Sequence, residues 1–341
     1  MRPLQGMLVV TLEHAIAAPF CTRQLADLGA RVIKVERPGE GDFARAYDTR
    51  AKGSASHFVW CNRGKESLTL DLKNPAARAL LQQLVERADV LVQNLAPGAA
   101  ARMGLDHASL SPRNPKLVVC DISGYGDGGP FTEKKAYDLL IQSESGFVSV
   151  TGTPAHPSKA GLSIADIAAG MYAYSSVLAA LLERGRTGRG KRLEISMLEA
   201  MSEWMGFPLY YTFDGQPPPP RAGASHAAIY PYGPFMCGDG RQVVLAVQHD
   251  REWGTFCDKV LRRPELAAQY KGNAKRLAER ETLRGIIEGV CAGLTGEQLV
   301  ERLEDAQIAY GRLNEMADLW RHAQLQARAR WTEIGTPGGP M

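Results

Sequence analysis

Short apolar runs alternate with longer mixed segments through the first half of the chain. Residues 7–12 (Met-Leu-Val-Val-Thr-Leu) predict a buried strand. Residues 18–29 carry Phe20, Leu25 and Leu28 at helical spacing, with Gly29 as a stop signal. The β-branched residues 31–36 predict a second strand, and Leu68–Leu72 a third. Asn74-Pro75 opens a helix expected to reach about Ala88, with proline at the tolerated first position. Asp89–Gln93 and Lys116–Ile122 add two more strands. This strand–helix alternation implies an α/β fold, a Rossmann-like parallel sheet with helices on both faces.

Residues 164–185 form the longest apolar helical stretch, rich in Ala, Gly and Ser, and Gly188-Arg189-Gly190 follows it. Lys191–Ser196 returns as a strand, and a further helix is expected from Glu199 towards Tyr211. The pattern then breaks at Pro217–Pro220, which cannot continue a helix. We expect a large domain over 1–216, a linker over 217–230 and a smaller α+β domain over 231–330. Within the small domain, Gly238-Asp239-Gly240 joins two strand-like runs as a hairpin. Amphipathic helices are predicted near 250–262, 275–293 and 296–306.

Composition narrows the function. Apolar residues are 45% and charged residues 23% of the chain, which excludes global disorder. The net charge of +3 argues against a broad nucleic-acid surface and leaves room for a local basic site. No apolar run approaches the ~20 residues that span a bilayer, and the N-terminus lacks the apolar core of a signal peptide. A cytoplasmic protein with no membrane partner is therefore expected. The six cysteines are scattered without a CxxC pair, so no metal site is expected.

The turn after the first strand reads Glu13-His14-Ala15-Ile16-Ala17-Ala18-Pro19. It lacks the GxGxxG pattern through which a dinucleotide pyrophosphate approaches the backbone, so NAD or FAD is not expected there. Neither a GxSxG elbow nor an HExxH pair is present. Asp166 is a lone carboxylate among small apolar residues at the start of the longest helix. It reads equally as a helix cap or as a catalytic carboxylate. Arg37, Lys73, Arg102 and Lys135 recur near predicted strand ends, where α/β sheets bind ligands, and four cations would suit a ligand with several phosphates.

An ordered series of segments carries a resemblance. It runs through Leu25–Ala30, Val32–Glu36, Asn62–Lys65, Leu70–Lys73, Gln93–Gly98, Arg102–Leu105 and Ser123–Gly126, then the Asp166 helix and Thr187–Gly190. With these residues the chain resembles the class III CoA-transferases, the CaiB/BaiF family. The resemblance implies that Asp166 is the nucleophile and that CoA is a substrate rather than a tightly bound cofactor. It implies CoA contacts at His14, Ala15, Arg37, Leu70, Asp71, Leu72, Lys73, Asn94, Leu95, Arg102, Lys135, Ala136 and Tyr137. It also implies an interlocked homodimer, its active site between the large domain of one chain and the small domain of the other. Residues 331–341 match a return segment that ordinarily continues further, so a truncated tail is expected.

Two alternatives stay open. α-Methylacyl-CoA racemases share the fold but resemble this region with His-Asp where this chain has Tyr137-Asp138, and tyrosine is a poor base near neutral pH. A non-catalytic CoA-binding protein would need Asp166 to be only a cap. Segments such as Ser56–Trp60 and Gly223–His226 resemble the branch acting on short dicarboxylates (itaconate, mesaconate or citramalate) with succinyl-CoA as donor. Arg221 and His226 are then expected to meet the distal carboxylate.

Overall fold

The computed structural model describes residues 1–341. Six strands form one parallel sheet: β1 Leu8–Leu12, β2 Arg31–Glu36, β3 Lys65–Thr69, β4 Val90–Gln93, β5 Val118–Ser123 and β6 Arg192–Ser196. Their spatial order is β3-β2-β1-β4-β5-β6. The order reverses between β1 and β4, which pair in register from Val9 opposite Val90 to Leu12 opposite Gln93. Open α/β sheets bind ligands in the crevice outside the carboxyl ends of strands at such a reversal.

The central strands are largely apolar because helices cover both faces. One face buries Val9, Val32, Val90, Val92, Val118 and Cys120 with the Ala17–Asp27 and Ile164–Thr187 helices. The other buries Val10, Leu12, Val35, Leu91 and Val119 with the Pro75–Glu86 helix. Asn74 caps that helix by accepting the Ala76 N–H at 2.9 Å, as its Asn-Pro start predicts.

Small side chains decide how the first face packs. Ala165, Ala168, Ala169 and Ala173 of the long helix are wholly buried. A Cβ on Gly170 would lie 2.7 Å from the Ala17 carbonyl oxygen. Only glycine lets the two helices approach that closely, and this brings the first turn of one against the first turn of the other.

Several expectations are corrected. The third strand is Lys65–Thr69, not Leu68–Leu72, with Val32 opposite Lys65 and Glu36 opposite Thr69. It is an edge strand with exposed polar residues, so its apolar signal is weak. Leu70 and Leu72 pack on the core from the loop beyond it. The Ile164–Thr187 helix is long and apolar enough to cross a membrane, with an 18-residue stretch of mean hydropathy 1.4. Its small side chains instead fill the core beside the sheet. The helix expected from Glu199 to Tyr211 begins at Met197 and is broken at Met205, giving Met197–Trp204 and Gly206–Tyr211.

The chain divides into two compact units. The first holds residues 1–149, 159–210 and 333–341, and the second holds 150–158 and 211–332. The second unit contains an antiparallel sheet of β7 Tyr232–Met236, β8 Gln242–Ala246 and β9 Ala309–Arg312. Its core gathers Trp253, Phe256, Leu283, Ile287, Leu299 and Leu303. The helix expected over 275–293 is two helices, Asn273–Ala278 and Arg280–Cys291, because Glu279 leaves helical geometry at ψ 28°. Residues 217–230 lie in the second unit.

Candidate active site

The site is built where β1 ends. Glu13, the next residue, is buried with its carboxylate fully engaged. One oxygen accepts the Thr11 and Thr22 hydroxyls, both at 2.7 Å, and the other accepts Lys65 Nζ at 2.6 Å. Burial alone would raise the Glu13 pKa, but Lys65 and Lys34 outweigh it and hold the carboxyl below its ordinary value. Burial in turn pushes Lys65 down to about 8 against the pull of Glu13.

His14 is fastened across the strand-order reversal. Its N–H donates to Asn94 Oδ1 at 2.9 Å, and Asn94 Nδ2 donates to the His14 carbonyl at 3.0 Å. Asn94 follows β4, so one side chain closes the mouth between the two diverging strands. The His14 ring stacks on Phe43 with centroids 5.4 Å apart. Burial holds the imidazole below its ordinary pKa, opposed by the nearby Asp42.

Ala15 adopts φ 60°, the left-handed region that a side chain disfavours. The Ala17–Asp27 helix begins two residues later, and the Ala17 N–H lies near enough to the Asp166 carboxylate to lower its pKa. In a dinucleotide-binding fold this helix start would face a pyrophosphate. Here it faces an aspartate of the chain itself.

Asp166 stands in the first turn of its own helix. Ser163 provides no side-chain cap. The cap function falls to Asp138, whose Oδ1 accepts the Ala165 N–H at 2.9 Å while Oδ2 accepts Gln142 Nε2 at 2.6 Å. Of the two roles open to Asp166, capping its helix is thus taken by another residue. Its surface is partly accessible, but protein crowds it from most directions. Burial, reinforced by the negative charge of Asp138 and eased by the Ala17 N–H, lifts its pKa to about 7.

The other expected contacts spread along the carboxyl edge of the sheet. Arg37 follows β2 and donates to Glu40 at 2.6 Å and to the Gly41 carbonyl at 3.2 Å. Leu70–Lys73 follow β3, and Asp71 Oδ1 accepts the Lys73 N–H at 3.0 Å, turning the chain into the next helix. Leu95 follows Asn94 after β4, and its N–H donates to Gln93 Oε1 at 2.7 Å. Arg102 ends a short helix after β4 and reaches the Pro97 carbonyl at 3.5 Å. Lys135, Ala136 and Tyr137 lead into the Asp138–Glu144 helix, with Tyr137 66% exposed. A Cβ on Gly124 would lie 2.2 Å from that of Ala136, so glycine there lets this segment rest on the end of β5.

Arg221 and His226 belong to the second unit. The Arg221 guanidinium donates to the Thr153 and Pro154 carbonyls, both at 2.9 Å. The His226 ring stacks on Tyr232 with centroids 5.3 Å apart, and its Nδ1 accepts the Ala228 N–H at 3.1 Å.

Sequence reasoning missed the buried charges beneath the turn. Lys34 and Asp42 are each almost wholly buried and lie 2.6 Å apart. The available signal was Lys34 itself, a charge between Ile33 and Val35 in an otherwise apolar strand.

The CoA-transferase family III sequence model matches residues 4–341. The chain belongs to CoA-transferase family III. It is 35% identical to a succinate–glutarate CoA-transferase of Agrobacterium fabrum over 99% of this chain and 87% of that protein. It is 34% identical to a succinyl-CoA:mesaconate CoA-transferase of Haloarcula hispanica, again over 99% and 87%. A crystal structure of a CaiB/BaiF family protein from Brucella suis superposes with a TM-score of 0.86 at 34% identity, covering 99% of this chain and 90% of that one. The protein is thus a CoA-transferase enzyme, and CoA, carried as a thioester, is its substrate.

Proposed function

We propose that the enzyme moves CoA from succinyl-CoA to a short dicarboxylic acid, with Asp166 as the nucleophile. One observation carries the assignment of Asp166. The carboxylate lies where two helices begin, is largely desolvated, and is freed from capping by Asp138. The names of the relatives support a succinyl donor and a dicarboxylate acceptor.

The chemistry then follows in balanced steps. An Asp166 oxygen attacks the thioester carbonyl, the C–S bond breaks, and CoA leaves as thiolate. The thiolate attacks the aspartyl carbonyl of the resulting anhydride and releases the donor acid as carboxylate. The acceptor carboxylate attacks the aspartyl-CoA thioester, and the same two exchanges run in reverse. Splitting one hard exchange into several easier ones is covalent catalysis, and backbone N–H groups such as that of Ala17 are suited to stabilise the oxyanions. Anhydride and thioester are comparably reactive, so the cycle calls for no ATP or metal.

In this proposal His14, Ala15, Arg37, Leu70–Lys73, Asn94, Leu95, Arg102 and Lys135–Tyr137 hold CoA, and Arg221 and His226 meet the acceptor's distal carboxylate. The protein acts in the cytoplasm as a homodimer. Exposed Trp204, Phe207, Leu209 and Tyr210 support an association surface. The test is mass spectrometry of CoA species after incubation with succinyl-CoA, 2-methylacyl-CoA and free acids in D₂O. A new acyl-CoA matching a dicarboxylate supports the proposal. Deuterium at the α-carbon of 2-methylacyl-CoA without any new acyl-CoA overturns it.

A further inference from the structure

We propose that Asp42 is a positioning residue for CoA transfer, holding the turn after β1 in the strained form that aims the Ala17 N–H at Asp166. The inference rests on Asp166 being the nucleophile. Asp42 is fully buried, and both its oxygens are committed. Oδ1 accepts the Ala15 N–H at 3.1 Å and the Ala44 N–H at 2.9 Å. Oδ2 accepts Lys34 Nζ at 2.6 Å. Lys34 is anchored in turn by Asn62 Oδ1 at 2.9 Å and lies 3.8 Å from Glu13.

A buried ion pair alone would be a structural feature. Here it grips the one residue of the turn with unfavourable backbone geometry, Ala15 at φ 60°. A non-glycine residue persists in that region only where its surroundings over-determine it. Two residues further on, the Ala17 carbonyl packs on Gly170, one turn along the Asp166 helix, where a Cβ would lie 2.7 Å from its oxygen, and the Ala17 N–H lies near Asp166. Relaxing φ at Ala15 would rotate the peptide planes between them and swing that N–H away. The charge of Asp42, compensated by Lys34, thus fixes the direction of an N–H it never touches.

The test separates geometry from binding. Asp42→Asn keeps the shape but removes the charge facing Lys34. We expect kcat to fall about 10- to 100-fold, as small misplacements near reacting atoms do, with KM for acyl-CoA within about twofold. Adding Ala15→Gly should recover several-fold of the lost kcat, because glycine adopts φ 60° without penalty. If Asp42→Asn does not fold, Ala15→Val replaces it, since a branched side chain opposes the left-handed region directly. A loss of kcat is then expected, with KM free to change because Ala15 itself is proposed to contact CoA. Unchanged kcat, or a loss that raises KM in parallel and that glycine does not relieve, would overturn the proposal. Asp166→Asn is assayed alongside. Activity in that variant removes the nucleophile itself, whereas its inactivity beside an unaffected Asp42→Asn removes only the positioning role.

Discussion

The turn after β1 and the cationic rim beyond the other strand ends border the same sheet edge and are built in opposite ways. In the turn, Glu13, Lys34 and Asp42 are nearly or wholly buried, and every charge has a partner within 2.6 to 2.7 Å or a short network of them. On the rim, Arg37 is half exposed, and its ion pair is with its exposed neighbour Glu40. Lys73, Arg102 and Lys135 are likewise exposed. Buried pairs resist displacement, because removing one partner strands the other charge in a dry site. Exposed pairs exchange readily with water and with a ligand. In the proposed function the buried, interlocked part holds the reacting atoms and the exposed part meets a polyanion.

Replacing Asp166 breaks this comparison most severely. Asp166→Asn keeps the size of the side chain but removes the oxygen pair proposed as the nucleophile. Transfer is expected to fall about 10³-fold or more, measured as new acyl-CoA per unit time, with the fold intact. Transfer at even a tenth of the original rate would move the nucleophile elsewhere.

The pH profile is the next largest effect. If Asp166 is the nucleophile it must be ionised, and burial lifts its pKa to about 7. Below that value kcat/KM should drop about tenfold per pH unit. A profile flat down to pH 5 would mean that the reacting carboxylate is solvated.

The same displacement acts on stability. The folded protein holds the Asp166 proton more tightly than the unfolded chain, whose ordinary value is 3.8. Stability from this group is therefore present below pH 4 and is lost as pH rises through 7. Each pH unit between is worth ~1.4 kcal/mol in a dry site. Water reaching the side chain trims the total to roughly 1–3 kcal/mol. Asp166→Asn should accordingly be more stable than the parent in urea at pH 8, and the gain should vanish near pH 4. A variant destabilised at pH 8 would show that Asp166 carries a structural hydrogen bond worth more than its desolvation.

What could be read from the sequence follows the same division. β1, β2, β4 and β5 announce themselves because strands covered on both faces are apolar runs, and β6, an edge strand, through its alternation of Leu193 and Ile195 with charged residues. β3 and β9 are edge strands with too few apolar positions to show an alternation, so the pattern places β3 three residues late and leaves β9 unread. Asp166 was legible because a lone carboxylate among alanines is conspicuous. The Lys34–Asp42 pair is only half legible, since Lys34 interrupts an apolar strand but Asp42 reads as surface until the fold brings them together. Asp138 was noticed only beside Tyr137. Its cap on the Asp166 helix spans 27 residues, a link that no local pattern encodes.

The smallest effects belong to the rim, and they sharpen the comparison by their character. Arg37→Ala, Lys73→Ala, Arg102→Ala and Lys135→Ala each remove an exposed cation that no buried partner depends on. If these residues meet CoA phosphates, each loss should raise KM for acyl-CoA about 3- to 10-fold at low salt and leave kcat unchanged, since ground state and transition state lose the same contact. Added salt should shrink the difference between parent and variant, because screening already weakens an exposed charge. Asp42→Asn should show the reverse, with kcat reduced, KM steady and little response to salt. A rim variant that lowers kcat with KM steady would place that cation at the reacting thioester, and the separation between a rigid centre and a yielding rim would fail at that residue.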